Sequence, residues 1–163
     1  VIYAGAQKNM GIAGLGVVII REDLVKPHPA NIPVLSELDT MLEKDSMYNT
    51  PPCWAIYMLG LVVKWIDEKN EKKAKLLYDY LDQSDFYKPH AKKDARSNMN
   101  VTFTTPSKEL DAEFVKESIA AGMTNLKGHR SVGGIRASIY NAMPYEGVEY
   151  LVNFMKEFEE KRK

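Results

Sequence analysis

The sequence predicts an α/β or α+β protein in which helices pack against a small sheet, and three observations support this fold class. Apolar and polar residues alternate over Met99–Phe103 and again over Ile135–Ile139, as they do in half-buried strands. A helical pattern follows each of these strands, so the order from about residue 85 onward is strand, helix, strand, helix. The 163 residues, 45% of them hydrophobic and 27% charged, are enough for a buried core in one or two domains.

Two strands joined by a glycine-rich turn are predicted at the start of the chain. Val1–Ala4 is typical of a buried strand, and the apolar run Leu15–Ile20 is typical of a strand covered on both faces. Because a domain rarely begins within a strand, we expect this chain to be the back part of a longer protein. Residues 22–50 contain three prolines and little periodicity, so we expect a long ordered connection, which is often functional.

Helical spacing of apolar residues predicts three helical regions in the rest of the chain. Proline is well tolerated in a first helical turn, and glycine is common just after a last one, so both residue types help to place the ends. The predicted regions are Pro51–Ser84, Asp111–Ala121 closed by Gly122, and a last helix from Pro144 that ends in a solvated charged terminus, Lys156–Lys163.

Composition excludes several classes of function. Lys and Arg together number 22, as do Asp and Glu, so the charge balance does not favour nucleic-acid binding. The single cysteine, Cys53, excludes an internal disulfide and a cysteine-based zinc site, and the isolated His28 and His90 suggest no metal. The longest aliphatic run, Val17–Ile20, is far shorter than the ~20 residues of a spanning helix. No secretory leader opens the sequence, and we therefore expect a cytoplasmic protein.

Lys8 is the first candidate for chemistry, because it lies in the turn Gly5–Asn9 at the end of a predicted strand. A partly desolvated lysine loses its proton more easily and becomes a nucleophile suited to Schiff-base chemistry. From these residues alone, a surface lysine in a turn remains the commoner interpretation. The following glycines run G-x-x-G-x-G and do not form the dinucleotide-binding fingerprint.

Lys127–Arg136 is the second candidate, with four side chains that can be cationic interleaved with three glycines. Glycine lets backbone N–H groups approach an anion, and arginine binds carboxylates or phosphates through a bidentate fork. We therefore favour an anion site over a solvated basic loop, with Arg136 fixed by its strand.

A third candidate is Asn49–Thr50, where helix capping and phosphate binding at a helix N-terminus are both open interpretations.

These segments together resemble the phosphoserine aminotransferase family, which belongs to the class V, fold-type I enzymes that use pyridoxal 5′-phosphate. The resemblance implies the C-terminal part of such an α/β enzyme, comprising the end of the large-domain sheet and an α/β small domain. It divides the chain into large-domain residues 1–50, connecting long helices 51–84 and the small domain 85–163. The matching motifs, in chain order, are Tyr3–Asn9, Asp45–Pro52, Arg96–Val101 and Leu126–Ala142.

The resemblance also implies how the cofactor is held. Lys8 would hold pyridoxal phosphate as an internal aldimine and move the proton between the substrate and the cofactor. Gln7 would contact the cofactor phosphate. Asn49 and Thr50 would reach across a homodimer interface to the phosphate of the partner's cofactor. No metal ligand is implied.

The implied reaction is amino transfer between glutamate and 3-phosphohydroxypyruvate in serine biosynthesis, with ping-pong kinetics. Arg136 would bind the α-carboxylate that both amino acids share. His129 and Arg130, offered across the interface, would bind the distal anion, which is a carboxylate in one half-reaction and a phosphate in the other. The expected partners are these small molecules and a second subunit, with no nucleic acid and no membrane.

Two departures from the family pattern keep other interpretations open. The large N-terminal part of the family, with its ring-stacking aromatic residue and its aspartate for the ring nitrogen, has no counterpart here. A Gly-Gly turn and further helical residues are also missing between Lys69 and Asn70, through a true deletion or, as we favour, through a skipped segment. The alternatives are a non-catalytic C-terminal fragment that binds no cofactor and an anion-binding module that uses only His129, Arg130 and Arg136.

Overall fold

The computed structural model describes residues 1–27 and 31–163, which form two compact units, Val1–Lys64 and Trp65–Lys163. The isolated His28 noted above lies outside the described residues. Among the helices of the described residues, none is long and apolar enough to cross a membrane.

The first unit contains an antiparallel two-stranded ribbon, β1 (Ile2–Gly5) with β2 (Gly16–Ile19), in which Ile2 pairs with Ile19. The two strands confirm the predicted elements, but the expectation that both would be buried is wrong for this chain. The exposed fractions of Tyr3 and Ile19 are 82% and 62%. The apolar pattern marks residues that need a cover, and the described part of the unit supplies none over these side chains.

The predicted connection over residues 22–50 contains more helix than expected. A short helix, α1 (Leu38–Glu43), follows two single turns of 3-10 helix at Glu22–Leu24 and Val34–Ser36. Its length of six residues is too short to show a helical repeat of apolar residues, which explains why the sequence pattern does not reveal it.

A single long helix, α2 (Cys53–Gln83), takes the place of the connecting helices that were expected over residues 51–84. It runs without interruption through Lys69 and Asn70. Within the second unit, Asn70 and Lys73 are almost fully buried, with 2% and 3% of their surface exposed. The ammonium of Lys73 donates to the carbonyls of Asn141 (3.1 Å) and Met143 (2.9 Å), and burial lowers its pKa.

The second unit is an antiparallel three-stranded sheet with helices packed against it. The strands are β3 (Lys88–Pro89), β4 (Asn100–Thr104) and β5 (Ile135–Ser138), in that order across the sheet. Helix α3 (Lys108–Ala120) follows β4, and helix α4 (Tyr145–Glu160) follows β5. The predicted order of strand, helix, strand, helix is confirmed, while the two-residue β3 was not predicted.

The ends of α3 and α4 follow the sequence signals closely. The Oγ of Ser107 accepts a hydrogen bond from the N–H of Leu110 (3.3 Å) and so caps α3, which begins three residues before the predicted start. Gly122, with φ +84°, ends the same helix in the left-handed conformation that glycine adopts without strain. Pro144 immediately precedes α4, as predicted.

The expectation of a solvated terminus at Lys156–Lys163 is wrong in part. Most charged residues of the segment are exposed, as expected, and Phe158 lies on the apolar face that the spacing of the last helix predicts, but Glu159 and Arg162 are tied into the fold. Helix α4 continues to Glu160, and Phe158 and Glu159 are buried. The guanidinium of Arg162 lies 3.6 Å from the centre of the Phe158 ring and forms ion pairs with Glu113 and Glu117. A cluster of charged residues at a chain end resembles a solvated tail because its ion-pair partners lie about fifty residues earlier.

Asp82, near the end of α2, holds the loop that precedes β4. Its carboxylate accepts two hydrogen bonds from Arg96, at 2.5 and 2.9 Å, and the Arg96 guanidinium lies over the ring of Tyr78. The hydrogen bonds from Arg96 lower the pKa of Asp82 to about 2. Because this pKa is lower in the folded than in the unfolded state, the pair stabilises the fold fully above about pH 4. That contribution is lost as the pH falls towards 2.

Asp82→Asn is therefore expected to lower the free energy of unfolding by about 1–2 kcal/mol at pH 7, with the difference disappearing near pH 2. Urea unfolding at a series of pH values measures both effects. The matched control is Asp79→Asn in the same helix, because the Lys75–Asp79 pair is exposed on both sides and should contribute less than about 0.5 kcal/mol. A pH-independent difference for Asp82→Asn would contradict the assignment.

Candidate active site

Lys8 closes a single turn of 3-10 helix, Ala6–Lys8, directly after β1. Ala6 is fully buried, and its carbonyl accepts hydrogen bonds from the N–H groups of Met10 (3.0 Å) and Gly11 (2.9 Å), which fix the backbone of the turn. The side chain of Lys8 is exposed and makes no hydrogen bond or ion pair within the described part of the chain. The turn, whose backbone is fixed by hydrogen bonds, therefore carries an amine that forms no ion pair with a carboxylate of the described residues.

This turn fits a cofactor that carries an aldehyde, because a lysine amine must be free of an ion-pair partner to attack a carbonyl carbon. Gln7, the neighbouring residue, is exposed, and its amide folds back over Gly5. A Cβ at position 5 would overlap the present place of the Gln7 amide, which would have to move.

Asn49 and Thr50 are both exposed and lie before α2, as predicted, but they do not cap it. The helix begins at Cys53, and the N–H of Ile56 donates to the carbonyl of Pro52 (3.0 Å), so Pro52 holds the capping position. The capping interpretation is therefore wrong, because the two prolines set the helix start two residues later than capping would require. The polar side chains of Asn49 and Thr50 are left outside the helix.

Arg136 lies on β5 with main-chain bonds on both sides of the strand. It pairs with Thr102 of β4, and its N–H donates to the carbonyl of Leu126 (2.8 Å). Its guanidinium takes part in no ion pair of the described residues, and its Nε is buried without a hydrogen-bond partner. A buried donor without a partner costs about 1–3 kcal/mol, so this guanidinium favours an acceptor that the described residues do not supply.

His129 and Arg130 lie at the tip of a loop, Gly128–Gly134, that glycines close. The N–H of Gly128 donates to the carbonyl of Gly134 (2.9 Å), and Gly133 and Gly134 have φ values of +78° and +66°. A Cβ on Gly134 would lie 2.8 Å from the carbonyl oxygen of Phe103, so only glycine permits the loop to pack this closely on β4. The loop is called the glycine loop below.

The His129 ring is oriented by the residue two positions later. The N–H of Ser131 donates to Nδ1 of His129 (3.3 Å), and the Ser131 hydroxyl lies 2.7 Å from the same atom. In the neutral tautomer that accepts at Nδ1, the ring proton lies on Nε2. This ring can therefore donate a hydrogen bond to an anion without first gaining a charge.

The glycine loop and the start of α3 enclose an open groove of about 710 Å³, called the cationic groove below. His129 and Arg130 line it together with Lys127 and Lys108. Sequence reasoning noted the charge of Lys127 without giving it a role, and it missed Lys108. No local pattern could have shown that Lys108, at the start of α3, shares a groove with His129.

The predicted site residues thus fall into two groups, one in each unit. Lys8 lies beside Gln7, and Asn49 beside Thr50, in the first unit. The second unit brings His129 and Arg130 together in the cationic groove, and Arg136 follows the glycine loop on β5.

Comparison with protein families and with curated proteins gives a consistent result. The family described as Aminotransferase class-V matches residues 1–151. The phosphoserine aminotransferase of Desulfatibacillum aliphaticivorans is 56% identical over 170 residues, covering 98% of this chain and 47% of the relative. That of Lactococcus lactis subsp. lactis strain IL1403 is also 56% identical, covering 98% and 46%. The chain spans about half the length of these relatives.

The alignment with the D. aliphaticivorans protein, at 170 residues, is longer than the chain itself, so that relative has residues for which this chain has no counterpart.

Solved structures agree with the sequence comparison. The phosphoserine aminotransferase of Bacillus circulans subsp. alkalophilus is 52% identical and superposes with a TM-score of 0.73, covering 99% of this chain and 47% of that one. The structure from Trichomonas vaginalis, described as bound to PLP, is 40% identical with a TM-score of 0.67, covering 94% and 47%. The expected fold class, part of an α/β fold of this type, is confirmed.

Proposed function

The chain belongs to the aminotransferase class-V family, and from this premise we propose that it is part of a pyridoxal-phosphate-dependent phosphoserine aminotransferase. The proposed reaction transfers the amino group of glutamate to 3-phosphohydroxypyruvate and gives phosphoserine and 2-oxoglutarate, as in serine biosynthesis. Relatives that bear this name cover the chain almost completely at above 50% identity, which supports the proposal. The remainder of the fold would come from the part of the family that this chain does not match.

The observation that carries the proposal is the guanidinium of Arg136. Its strand fixes the backbone on both sides, and its buried Nε has no partner within the described residues. Both amino acids of the proposed reaction carry an α-carboxylate, which matches an arginine fork through two parallel hydrogen bonds. Arg136 therefore serves both half-reactions with a single geometry.

Lys8 is the residue to which we assign the cofactor. Its exposed amine, on a fixed turn, would hold the aldehyde carbon of pyridoxal phosphate and later move the proton at the substrate α-carbon. The cofactor, when bound, supplies the electron sink for breaking bonds at that carbon. Gln7, and Asn49 with Thr50 from a second subunit, would bind phosphate oxygens through side chains that are exposed in this chain.

His129 and Arg130 are proposed to hold the distal anion of the substrate across the interface of a homodimer. The Nε2 proton of His129 and the exposed Arg130 guanidinium can both donate to a carboxylate or to a phosphate. Because the two amino acids occupy the same site in turn, the kinetics would be ping-pong. We further propose a cytoplasmic location.

A second candidate is a non-catalytic fragment that binds no cofactor, and the exposed β1–β2 ribbon favours it. Tyr3 and Ile19 are 82% and 62% exposed beside the Lys8 turn, so this chain alone offers a cofactor an open surface. Incubation with pyridoxal phosphate, borohydride reduction and intact-mass analysis separates the two candidates. One added cofactor mass, located on Lys8 by peptide mapping of the reduced protein, supports the enzyme, and no added mass supports the fragment.

Arg136→Lys tests the proposed function in the full-length protein that carries this chain. We expect KM for glutamate and for phosphoserine to rise about 10-fold or more, because lysine keeps the charge but loses the fork. The control is Arg21→Lys, which should leave both constants unchanged. Arg21 is exposed, and within the described residues its side chain bonds to Asp23, two positions later. Unchanged KM values in Arg136→Lys would place the carboxylate site elsewhere.

A further inference from the structure

We propose that the cationic groove selects doubly charged over singly charged anions, and that Lys127 and Lys108 are the residues that set this preference. The inference rests on the proposed function, in which His129 and Arg130 of the same groove hold the distal anion. It adds two residues to which the family resemblance gives no role, and it names the chemistry that they favour, a phosphate monoester dianion.

The charge of the groove differs from that of the chain as a whole. Lys and Arg balance Asp and Glu over the full sequence, at 22 each. The cationic groove, by contrast, is lined by three permanent cations, Lys108, Lys127 and Arg130, besides His129. None of the three forms an ion pair within the part of the chain that the structure describes.

The acidic side chain that lines the groove does not cancel this charge through a direct pair. One oxygen of Asp111, Oδ1, accepts hydrogen bonds from the N–H and from the hydroxyl of Thr105, both at 2.8 Å. The hydroxyl of Thr105 also lies within bonding distance of the Ser107 carbonyl (2.9 Å). Asp111 therefore ties the end of β4 to the start of α3 and shapes one wall of the groove.

The backbone of both walls is fixed without help from a ligand, while the side chains of Lys108, Lys127 and Arg130 are exposed to solvent. The glycine loop is closed by the bond from Gly128 to Gly134 and packs tightly on Phe103. Lys108 begins α3, whose start the Ser107 cap and Asp111 fix. A preorganised site loses less free energy on binding than a flexible loop does.

The preference for a phosphate monoester over a carboxylate follows from the difference in their charges. A phosphate monoester carries about −1.5 to −2 charges near neutral pH, whereas a carboxylate carries one. Since the Coulomb energy is proportional to each charge, every permanent cation near the site stabilises the phosphate about twice as much as the carboxylate. Arg130 alone favours the dianion in this way, and Lys127 and Lys108 extend the same preference.

The test measures binding of inorganic phosphate and of acetate to this chain at about pH 8, where phosphate is mainly dianionic. Chemical shifts of the Gly128, Gly133 and Gly134 amides report on the groove, and sodium chloride keeps the ionic strength constant, because screening weakens such contacts. Lys127→Gln and Lys108→Gln are each expected to raise the phosphate Kd by about two- to fivefold and the acetate Kd by less than about twofold. Lys116→Gln is the control, since Lys116 is exposed on α3 and does not line the groove.

Three results would overturn the inference. Phosphate that shifts none of the three glycine amides shows that the groove binds no anion in this chain. Equal losses for phosphate and acetate show that the lysines bind without discriminating, and unchanged Kd values show that they do not take part. The first result would also count against the distal-anion role proposed for His129 and Arg130, whereas the other two concern the lysines alone. The cofactor and α-carboxylate assignments are tested separately by the Lys8 and Arg136 variants.

Discussion

Replacing Lys8 with alanine is expected to lower the rate of amino transfer by about 10⁴-fold or more in the full-length protein, the largest effect that we predict. The change removes both the amine that would hold the cofactor and the base that would move the α-proton. Its neighbour Gln7 has an amide side chain, which is neither a nucleophile nor a base. The turn itself should persist, because buried Ala6 and its main-chain bonds fix it without the lysine side chain.

Two independent measurements check this prediction, one of turnover and one of cofactor attachment. Turnover of glutamate with 3-phosphohydroxypyruvate follows the chemistry, while borohydride reduction and intact mass follow attachment of pyridoxal phosphate. Lys44→Ala is the control, since Lys44 is an exposed lysine of the same unit that forms no ion pair within the described residues. Undiminished turnover in Lys8→Ala would refute the assignment of Lys8 as the cofactor-binding lysine. A cofactor adduct on another lysine would transfer that role to the other residue.

The fold of the second unit could be predicted from the sequence because its elements pack against one another. Val101 and Phe103 of β4 and Ile135 and Ala137 of β5 alternate with polar neighbours and are all at most 1% exposed. Helix α4 places Val148, among other apolar residues, on its buried face as its spacing predicts. In such a unit, the residues that the apolar pattern predicts to be buried are the residues that pack against the other elements.

The burial of the first unit could not be predicted in this way. The apolar residues of β1 and β2 indicate that these strands need a cover, but a periodic pattern does not say which polypeptide provides it. The same holds for Trp54, near the start of α2, which lies on a predicted apolar stripe and is 64% exposed. The strands and the helix are present as predicted, and only the expected burial fails.

The candidate site shows the same division between local and distant information. Arg136 and the glycine loop could be identified from the sequence, because the alternation of β5 and the glycines that close the loop are local features. Lys108 could not, since it reaches the cationic groove only through the packing of α3 against β4 and the loop. Arg162 is a comparable case, where ion pairs with Glu113 and Glu117 turn a charged terminus into part of the fold.

Phe114→Ala has the second largest effect that we predict, a loss of about 3–5 kcal/mol in the free energy of unfolding of the second unit. Phe114 is fully buried in α3. Its ring contacts those of Phe158 and Phe154, with centroids 5.1 and 5.2 Å away, and those of Phe103 and Tyr87 at 6.0 and 6.1 Å. It thereby joins α3 to α4 and to β4, so truncation leaves a cavity where two helices meet the sheet.

Urea unfolding, followed by circular dichroism, measures the loss. Ile119→Ala is the matched control in the same helix, because Ile119 is 58% exposed and its truncation should cost less than about 1 kcal/mol. If Phe114→Ala does not fold, Phe114→Leu keeps most of the buried volume and should lose about 1–2 kcal/mol, less than the alanine variant by the size of the missing cavity. Equal effects of Phe114→Ala and Ile119→Ala would mean that the aromatic cluster is not the centre of the core. The sheet that carries Arg136 would then depend on other contacts for its rigidity.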